Sequence, residues 1–269
     1  MISAVPDTHA RFPRDHHEGP VPELDHVGVV VPARNEAAFL ARCLEAVDAA
    51  ARAVSAPTTV VVVLDCCTDA SADILDDVAR TLDIDMIALV SRAGCAGGAR
   101  ADGAQRLLAQ SPDPERLWLS TTDADSTVPA NWLVRQLEYG RAGSDVVAGT
   151  VEVVDWRPWP ATLRQSYESR YAVATRADGH GHVHGANLGI RGSCYTRVGG
   201  FGAVTHDEDV QLVDRALAAG ASLTWAADLP VRTSARTISR APHGFADHLR
   251  RLQMISIDIP AANPPAGNV

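Results

Sequence analysis

The sequence predicts an α/β domain built on a mostly parallel sheet with helices on both faces. Short β-branched apolar runs alternate with amphipathic segments through the first half of the chain. The runs are continuously apolar, which is typical of strands that are buried on both faces. Each run is followed by a polar or glycine-rich loop, and this strand–helix–strand order favours right-handed crossovers between parallel strands.

The first half contains four strand-plus-loop units. The predicted strands are His26–Val31, Thr59–Leu64, Met86–Val90 and Leu117–Ser120. The predicted helices begin near Glu36, cover Ser71–Leu82 with Ser71 as the N-cap, and cover Ala99–Gln110. Because ligands bind at the carboxyl ends of parallel strands, we expect the four loops to meet at one edge of the sheet.

The second half is less regular. The predicted elements are helices at Pro129–Arg141, Leu163–Ala174, Asp209–Ala219 and Phe245–Ile255, and strands at Val146–Val154, Leu188–Ile190, Leu223–Ala226 and Val231–Ser234. Residues 1–24 are expected to form a flexible leader and residues 257–269 a disordered tail. A single domain would then cover residues 25–256, with halves at 25–126 and 127–256.

Composition excludes several classes of protein. The formal net charge is −9, so no excess of Lys or Arg is available to neutralise a nucleic acid. The five cysteines form no C-x-x-C pair, which argues against structural zinc and disulfides and fits reduced thiols in the cytoplasm. No apolar run approaches the ~20 residues that cross a bilayer, so we do not expect an integral membrane protein.

The most informative motif is Thr-Thr-Asp-Ala-Asp, directly after the fourth predicted strand. Asp123 and Asp125 are two residues apart and leave the sheet edge at the same point. Carboxylates placed in this way can hold a hard divalent cation whose remaining positions stay open for phosphate. The alternative is an acidic pair in an ordinary surface turn, but the three preceding strand–loop units favour a metal site.

Three further loops are predicted at the same edge. The first is Pro32–Glu36, in which the alternative role of Asn35 is to cap the next helix. The second is Asp65–Asp69, which could also be a simple turn. The third, Ser91–Arg100, is glycine-rich and leads into a helix, so its N–H groups could meet phosphate. It lacks the G-x-G-x-x-G spacing, which argues against a dinucleotide-binding fold.

Six motifs in order resemble family 2 glycosyltransferases of GT-A fold. They are VVVPARNE, VVLDCCTD, the Gly-Gly-Ala-Arg loop, TTDAD, HGANLGIR and HDEDVQL. The resemblance runs from Val27 to about Leu252, and the chain is also similar to glucosyl-3-phosphoglycerate and mannosylglycerate synthases. It implies a Rossmann-like sheet with a nucleotide-sugar half followed by an acceptor half, and Mg²⁺ or Mn²⁺ as cofactor.

The resemblance implies a role for each matching position. The residues expected to bind the nucleotide sugar are Pro32, Ala33, Arg34, Glu36, Asp65, Arg100 and Asp123. Those expected to bind the acceptor are Gly185, Asn187, Arg236 and Arg240. Asp125 and His243 would bind the metal. Asp209, with Glu208 beside it, would be the catalytic base; the alternative is a pair of acids that complement a helix dipole.

Three histidines alternate in the Gly/His loop at His180–Ala186. On an extended segment His180, His182 and His184 would share one face. A zinc site would need a fourth ligand and supporting hydrogen bonds. A loop that contacts the acceptor is therefore the favoured interpretation.

The sequence thus predicts a metal-dependent glycosyltransferase. It would move a sugar from a nucleoside diphosphate donor to a hydroxyl of a small-molecule, lipid or glycan acceptor, with inversion. The alternatives are a retaining transferase of the glucosyl-3-phosphoglycerate synthase type, a nucleotidyltransferase and a non-catalytic sugar-nucleotide-binding protein. The nucleotidyltransferase is disfavoured because the first loop, PARNE, lacks glycine.

Overall fold

The computed structural model describes residues 21–174, 180–236 and 245–257. Seven strands form one sheet in the order β3-β2-β1-β4-β6-β5-β7. The strands are β1 (His26–Ala33), β2 (Thr58–Asp65), β3 (Asp85–Ser91), β4 (Leu117–Thr121), β5 (Val146–Val153), β6 (Leu188–Arg191) and β7 (Leu223–Thr233). Among the strands of the described ranges, β6 alone runs antiparallel to its neighbours, β4 and β5, and the other neighbouring pairs are parallel. The predicted α/β class and mostly parallel sheet are confirmed.

The helices in the described ranges occupy both faces of the sheet. They are α1 (Leu40–Arg52), α2 (Ser71–Ala79), α3 (Ala96–Leu108), α4 (Trp132–Arg141), α5 (Ala161–Ala174), α6 (Gly192–Arg197), α7 (Glu208–Ala218) and α8 (Phe245–Ile257). The alternation of β1 shows the two faces: Val29 and Val31 pack in the cluster that contains α1, α2 and α4. Val30 packs in the cluster that contains α3, α6 and α7.

A third, smaller cluster lies beyond the end of β7. It joins α5 and α8 through Trp156, Trp159, Leu163, Tyr167, Ala235, Leu249 and Leu252. The Trp159 indole donates a hydrogen bond of 2.5 Å to the carbonyl oxygen of Ala235, so the chain that leaves β7 is fixed to this cluster. Across the described ranges no helix is long and apolar enough to cross a membrane.

The second half differs from the sequence prediction. The two predicted strands at its end are one strand, β7, because the pairing shifts register: Gly149 faces Ala226 while Thr150 faces Pro230. The three residues between these partners interrupt the apolar pattern without ending the strand. Helix α6 was not predicted, since six residues are too few to show a helical period.

The chain termini are only partly described. Leu24, inside the predicted leader, is 1% exposed and packs in the core with α1 and α4, so that residue was wrongly assigned to a flexible segment. Residues 1–20 of the predicted leader and residues 258–269 of the predicted tail lie outside the described residues.

Candidate functional site

A cavity of about 580 Å³ opens at the carboxyl ends of the parallel strands. Its lining contains every residue predicted to bind the nucleotide sugar: Pro32, Ala33, Arg34, Glu36, Asp65, Arg100 and Asp123. It also contains Asp125, Gly185, Glu208, Asp209 and Arg236. Arg240 and His243 lie outside the described residues, so their predicted roles stay predictions.

The loops after β1 and β2 are tied together by side chains. Asn35 has a left-handed backbone (φ 56°), and its side-chain oxygen accepts from the N–H groups of Thr68 and Asp69 at 2.7 and 3.2 Å. It therefore joins two loops and does not cap α1, which begins at Leu40. Similarly, Ser71 is the first residue of α2 and not its N-cap, and its N–H donates to Asp69.

Two cavity residues hold the glycine-rich loop. The buried Asp65 carboxylate accepts from the Gly94 N–H at 2.9 Å, and the Arg34 guanidinium donates to the Gly94 carbonyl at 3.0 Å. Gly94 has φ +70°, a conformation that favours glycine. Asp65 and Arg34 thus fix the wall of the cavity on the side of β2 and β3.

The Asp-Ala-Asp segment follows β4 as predicted. Its central residue, Ala124, is buried in the core, and both flanking carboxylates line the cavity. Burial raises the pKa of Asp125 to about 7; Arg236 opposes this shift, and the carboxylates of Asp123 and Glu36 add to it. The segment therefore concentrates negative charge at one point of the cavity wall.

Arg100 on α3 links two parts of the site. Its buried guanidinium donates to Asp123 after β4 and to Glu208 at the start of α7. Burial works against its charge, but these carboxylates and Asp209 outweigh that effect and raise the pKa of Arg100 further. The sequence predicted a contact of Arg100 with the base or pyrophosphate; the structure places its guanidinium between two carboxylates.

Asp209 lies at the other end of this linkage. One of its carboxylate oxygens accepts from the Gly185 N–H at 2.6 Å, and the other accepts from the Val210 N–H at 2.8 Å. Burial raises the pKa of Asp209; Arg100 opposes the shift and Glu208 adds to it. The site thus holds a carboxylate that is oriented and more basic than usual.

Gly185 is the point where these groups converge. Its carbonyl oxygen accepts from the Thr121 hydroxyl at 2.6 Å, while its N–H binds Asp209. A Cβ atom at this position would lie 2.4 Å from Cζ of Arg100. Glycine is required here because the backbone passes directly over the guanidinium.

Asn187 does not face the cavity. Its side chain is fully buried and accepts from the Trp132 indole at 2.9 Å. Its amide group donates to the carbonyl oxygens of Thr150 and Leu229 at 2.8 and 2.6 Å. The predicted contact with the acceptor is therefore a misassignment: the side chain joins α4, β5 and β7.

The three histidines share one face, as the alternation predicted. Neighbouring rings of His180, His182 and His184 lie 5.8 and 5.9 Å apart and within 15° of parallel. Tyr171 of α5 stacks on His182 at 3.9 Å, and its hydroxyl lies 3.2 Å from Nε2 of His184. His180 is buried against the Ala148 carbonyl, which suits a packing role.

Three residues of α5 in the cavity lining were missed from the sequence. They are Tyr167, Arg170 and Tyr171. The two tyrosines are four residues apart and so lie on one helical face, a signal that could have placed them together. What the pattern could not show is that this face meets the histidine segment.

The carboxylates suit a divalent cation. Within the described ranges no three His, Cys, Asp or Glu side chains already surround a common point. However, Asp123 and Asp125 share one loop and one cavity, and burial, together with the nearby carboxylates of Asp123 and Glu36, raises the pKa of Asp125. One or two carboxylates together with substrate phosphates form the set that usually binds Mg²⁺, so the donor chemistry fits.

The structure is similar to solved glycosyltransferase structures. With S. aureus TarS 1–349 in complex with UDP-GlcNAc it shares 16% sequence identity and a TM-score of 0.58, over 86% of this chain and 66% of that chain. With the mannosyltransferase PcManGT from Pyrobaculum calidifontis, in complex with GDP-Man and Mn²⁺, the values are 18%, 0.59, 92% and 66%. The chain thus spans just under two thirds of the length of both.

At these identities the likeness shows the fold, and the predicted GT-A fold is confirmed. No curated protein sequence matches the chain. The family model described as Glycosyl transferase family 2 matches residues 28–197, which is more than half of the sequence. The chain therefore belongs to glycosyl transferase family 2.

Proposed function

We propose that this protein transfers a sugar from a nucleoside diphosphate donor to an acceptor hydroxyl, with the help of Mg²⁺ or Mn²⁺ and with inversion. The observation that carries the proposal is the chain of contacts from Asp123 through Arg100 to Glu208. It holds the acidic loop after β4 and the carboxylate of Asp209 in one cavity. Transfer requires the activated donor and the activated acceptor to lie next to each other, so the groups that act on them must share one cavity.

The donor end supplies the binding groups. Asp65 and Arg34 lie on the side of β2, where the nucleoside would be held. Asp123 and Asp125 would hold the cation, which offsets charge on the departing diphosphate. The two solved structures above carry UDP-GlcNAc and GDP-Man, so UDP-sugars and GDP-sugars are the donors we propose to test first.

The acceptor end supplies the base. Asp209 is the proposed general base, because a carboxylate with a raised pKa takes a proton from a hydroxyl more readily. The Gly185 N–H orients its carboxylate. Arg100 lies near Glu208 and Asp209 and limits the repulsion between them. Attack from this side of the sugar carbon gives inversion of the anomeric centre.

The alternative functions predict different reaction products. Membership of family 2 argues against a nucleotidyltransferase. A retaining transferase would keep the anomeric configuration of the donor, and a non-catalytic binding protein would leave the donor intact.

The five described cysteines are free thiols, which supports a reducing compartment, and we propose the cytoplasm. The proposed acceptor is a lipid, a glycan or a small molecule.

The test is donor hydrolysis, since water can replace an unknown acceptor. UDP-sugars and GDP-sugars are incubated with the protein and Mn²⁺, and the released sugar is followed by NMR. We expect Mn²⁺-dependent release in which the first-formed anomer is opposite to that of the donor. Release of the same anomer would support the retaining alternative. Intact donor with every sugar nucleotide, together with unaltered melting temperatures, would contradict the proposed function.

A further inference from the structure

One arginine closes the acidic end of the cavity. The Arg236 guanidinium donates to both carboxylate oxygens of Glu36 at 2.5 and 2.7 Å, and its second nitrogen lies 3.2 Å from Oδ2 of Asp125. The side chains of Glu36 and Asp125 are 5% and 9% exposed, and that of Arg236 is 25% exposed. Arg236 therefore neutralises two nearly buried acids from two different loops.

The backbone on both sides of this contact is fixed. Thr127 and Arg232 exchange two backbone hydrogen bonds of 2.7 and 3.1 Å. The hydroxyls of Ser126, just before Thr127, and of Thr233, just after Arg232, are 3.0 Å apart. Because Trp159 holds the Ala235 carbonyl, the chain before Arg236 is also anchored. We therefore expect the side chain of Arg236, and not the backbone before it, to move when this contact breaks.

The contact has a consequence for cation binding. Asp125 is the proposed metal ligand, and the oxygen nearest Arg236 already faces a positive charge. A divalent cation and a guanidinium repel each other strongly at such short range in a partly buried site. A cation that takes this side of Asp125 therefore has to displace Arg236. A diphosphate offers the withdrawn guanidinium a new partner, since Arg pairs readily with phosphate oxygens.

We propose that Arg236 is an internal counter-ion that couples metal binding to donor binding. In the free protein Arg236 occupies the side of Asp125 that the cation takes in the complex, and the diphosphate draws it away. The inference rests on the proposed function for the metal and the donor. It adds that Mn²⁺ binds weakly by itself and much more tightly together with a nucleoside diphosphate, each ligand raising the affinity of the other equally.

The test is Mn²⁺ affinity, measured by calorimetry or EPR with and without UDP or GDP. In the wild type we expect the nucleotide to tighten Mn²⁺ binding by at least about tenfold, within the usual range of coupling between sites. In Arg236→Gln we expect Mn²⁺ alone to bind about tenfold tighter than in the wild type, because the competing charge is gone. The effect of the nucleotide on Mn²⁺ affinity should then shrink by up to about tenfold, and the coupling that remains comes from direct contact between the cation and the phosphates.

Matched variants make the result specific. Arg135→Gln removes an ion-paired arginine that binds Asp228 and Glu138 outside the cavity, and it should leave both Mn²⁺ affinities unchanged. Arg236→Lys keeps the charge, so we expect Mn²⁺ alone to bind about as weakly as in the wild type. This variant also serves if Arg236→Gln folds poorly, since tight Mn²⁺ binding by the lysine variant would overturn the inference.

The failures can be told apart. Coupling that is as strong in Arg236→Gln as in the wild type, with unchanged affinity for Mn²⁺ alone, overturns the role of Arg236 and leaves the metal site intact. Absence of Mn²⁺ binding to the wild type, even with UDP or GDP, overturns the inference together with the metal dependence of the proposed function. If Arg135→Gln and Arg236→Gln changed Mn²⁺ affinity equally, the change would be a general effect of net charge, and the inference about Arg236 would be overturned as well.

Discussion

The proposed donor end and the proposed acceptor end of the cavity are built from different side chains. At the donor end, Arg100 and Arg236 hold carboxylates on the loops after β4 and β1, and the Asp65 carboxylate at the end of β2 accepts from the Gly94 N–H. At the acceptor end, rings from α5 stack on the histidine segment, with Tyr171 on His182 at 3.9 Å. A diphosphate with a cation demands fixed charges. The other end is instead built of stacked rings, so we expect shape to contribute more to binding there.

Asp209 joins the two ends, and its replacement should have the largest effect. Asp209→Asn keeps the shape of the side chain but cannot accept a proton. Loss of a general base typically costs about 10²–10⁴ in rate, so kcat for transfer should fall by that order. Donor affinity should hardly change, because the base acts on the acceptor. Single-turnover kinetics and donor titration on the same variant check both; a near-normal rate would favour the retaining alternative.

Gly185→Ala tests whether stability and catalysis require the close approach of the Gly185 backbone to Arg100. The new Cβ would lie 2.4 Å from the Arg100 guanidinium carbon, and overpacking of this kind costs about 1–3 kcal/mol. We expect a lower free energy of unfolding and a reduced kcat, measured by urea titration and kinetics. Gly202→Ala is the control, since its Cβ would meet only Val204 at 3.7 Å. Equal effects of both variants would contradict the role of Gly185.

The pH dependence of kcat sharpens the assignment of the base. Burial raises the pKa of Asp209 above the usual range for aspartate. The base works when deprotonated, so the rate should be lost as pH falls through this raised pKa, by about tenfold per pH unit below it. A profile of kcat against pH in the wild type checks this. An acid limb at the usual pKa of aspartate would contradict the effect of burial.

Tyr171→Phe should have the smallest effect and should be confined to the acceptor end. It removes a hydroxyl that accepts from the Val151 N–H at 3.1 Å and lies next to His184. The loss of one such hydrogen bond should lower the free energy of unfolding by about 1 kcal/mol, and the KM for the acceptor should rise by no more than about fivefold. Donor KM should stay unchanged. Tyr139→Phe, whose hydroxyl binds Asp228, is the control.

The difference between the ends also explains what could be predicted from the sequence. The first four strands and the Asp-Ala-Asp position were predictable because buried parallel strands have continuous apolar runs and end in polar loops. The contacts that individual side chains make could not be predicted from the sequence. Asn187 and Arg100 are polar residues in motifs, yet one is used in packing and the other in ion pairs. Their partners lie far away in the sequence, so no local pattern reveals them.

The acceptor end was the harder part for a similar reason. Alternation predicted the common face of His180, His182 and His184, and ring distances of 5.8 and 5.9 Å agree. Tyr167 and Tyr171 share a face of α5 because they are about one helical turn apart. Only the tertiary fold brings the two together, and His243 and Arg240 lie outside the described residues.

The most direct test of the account is the metal dependence of donor binding. The melting temperature is measured with UDP-sugars and GDP-sugars, with and without Mn²⁺, for the wild type and for Asp125→Asn. A ligand at a hundred times its Kd stabilises by about 2.7 kcal/mol, which a melting curve resolves. We predict a large shift in the wild type only with Mn²⁺, and loss of its metal-dependent part in Asp125→Asn. An equal metal-dependent shift in a folded Asp125→Asn protein would contradict the account.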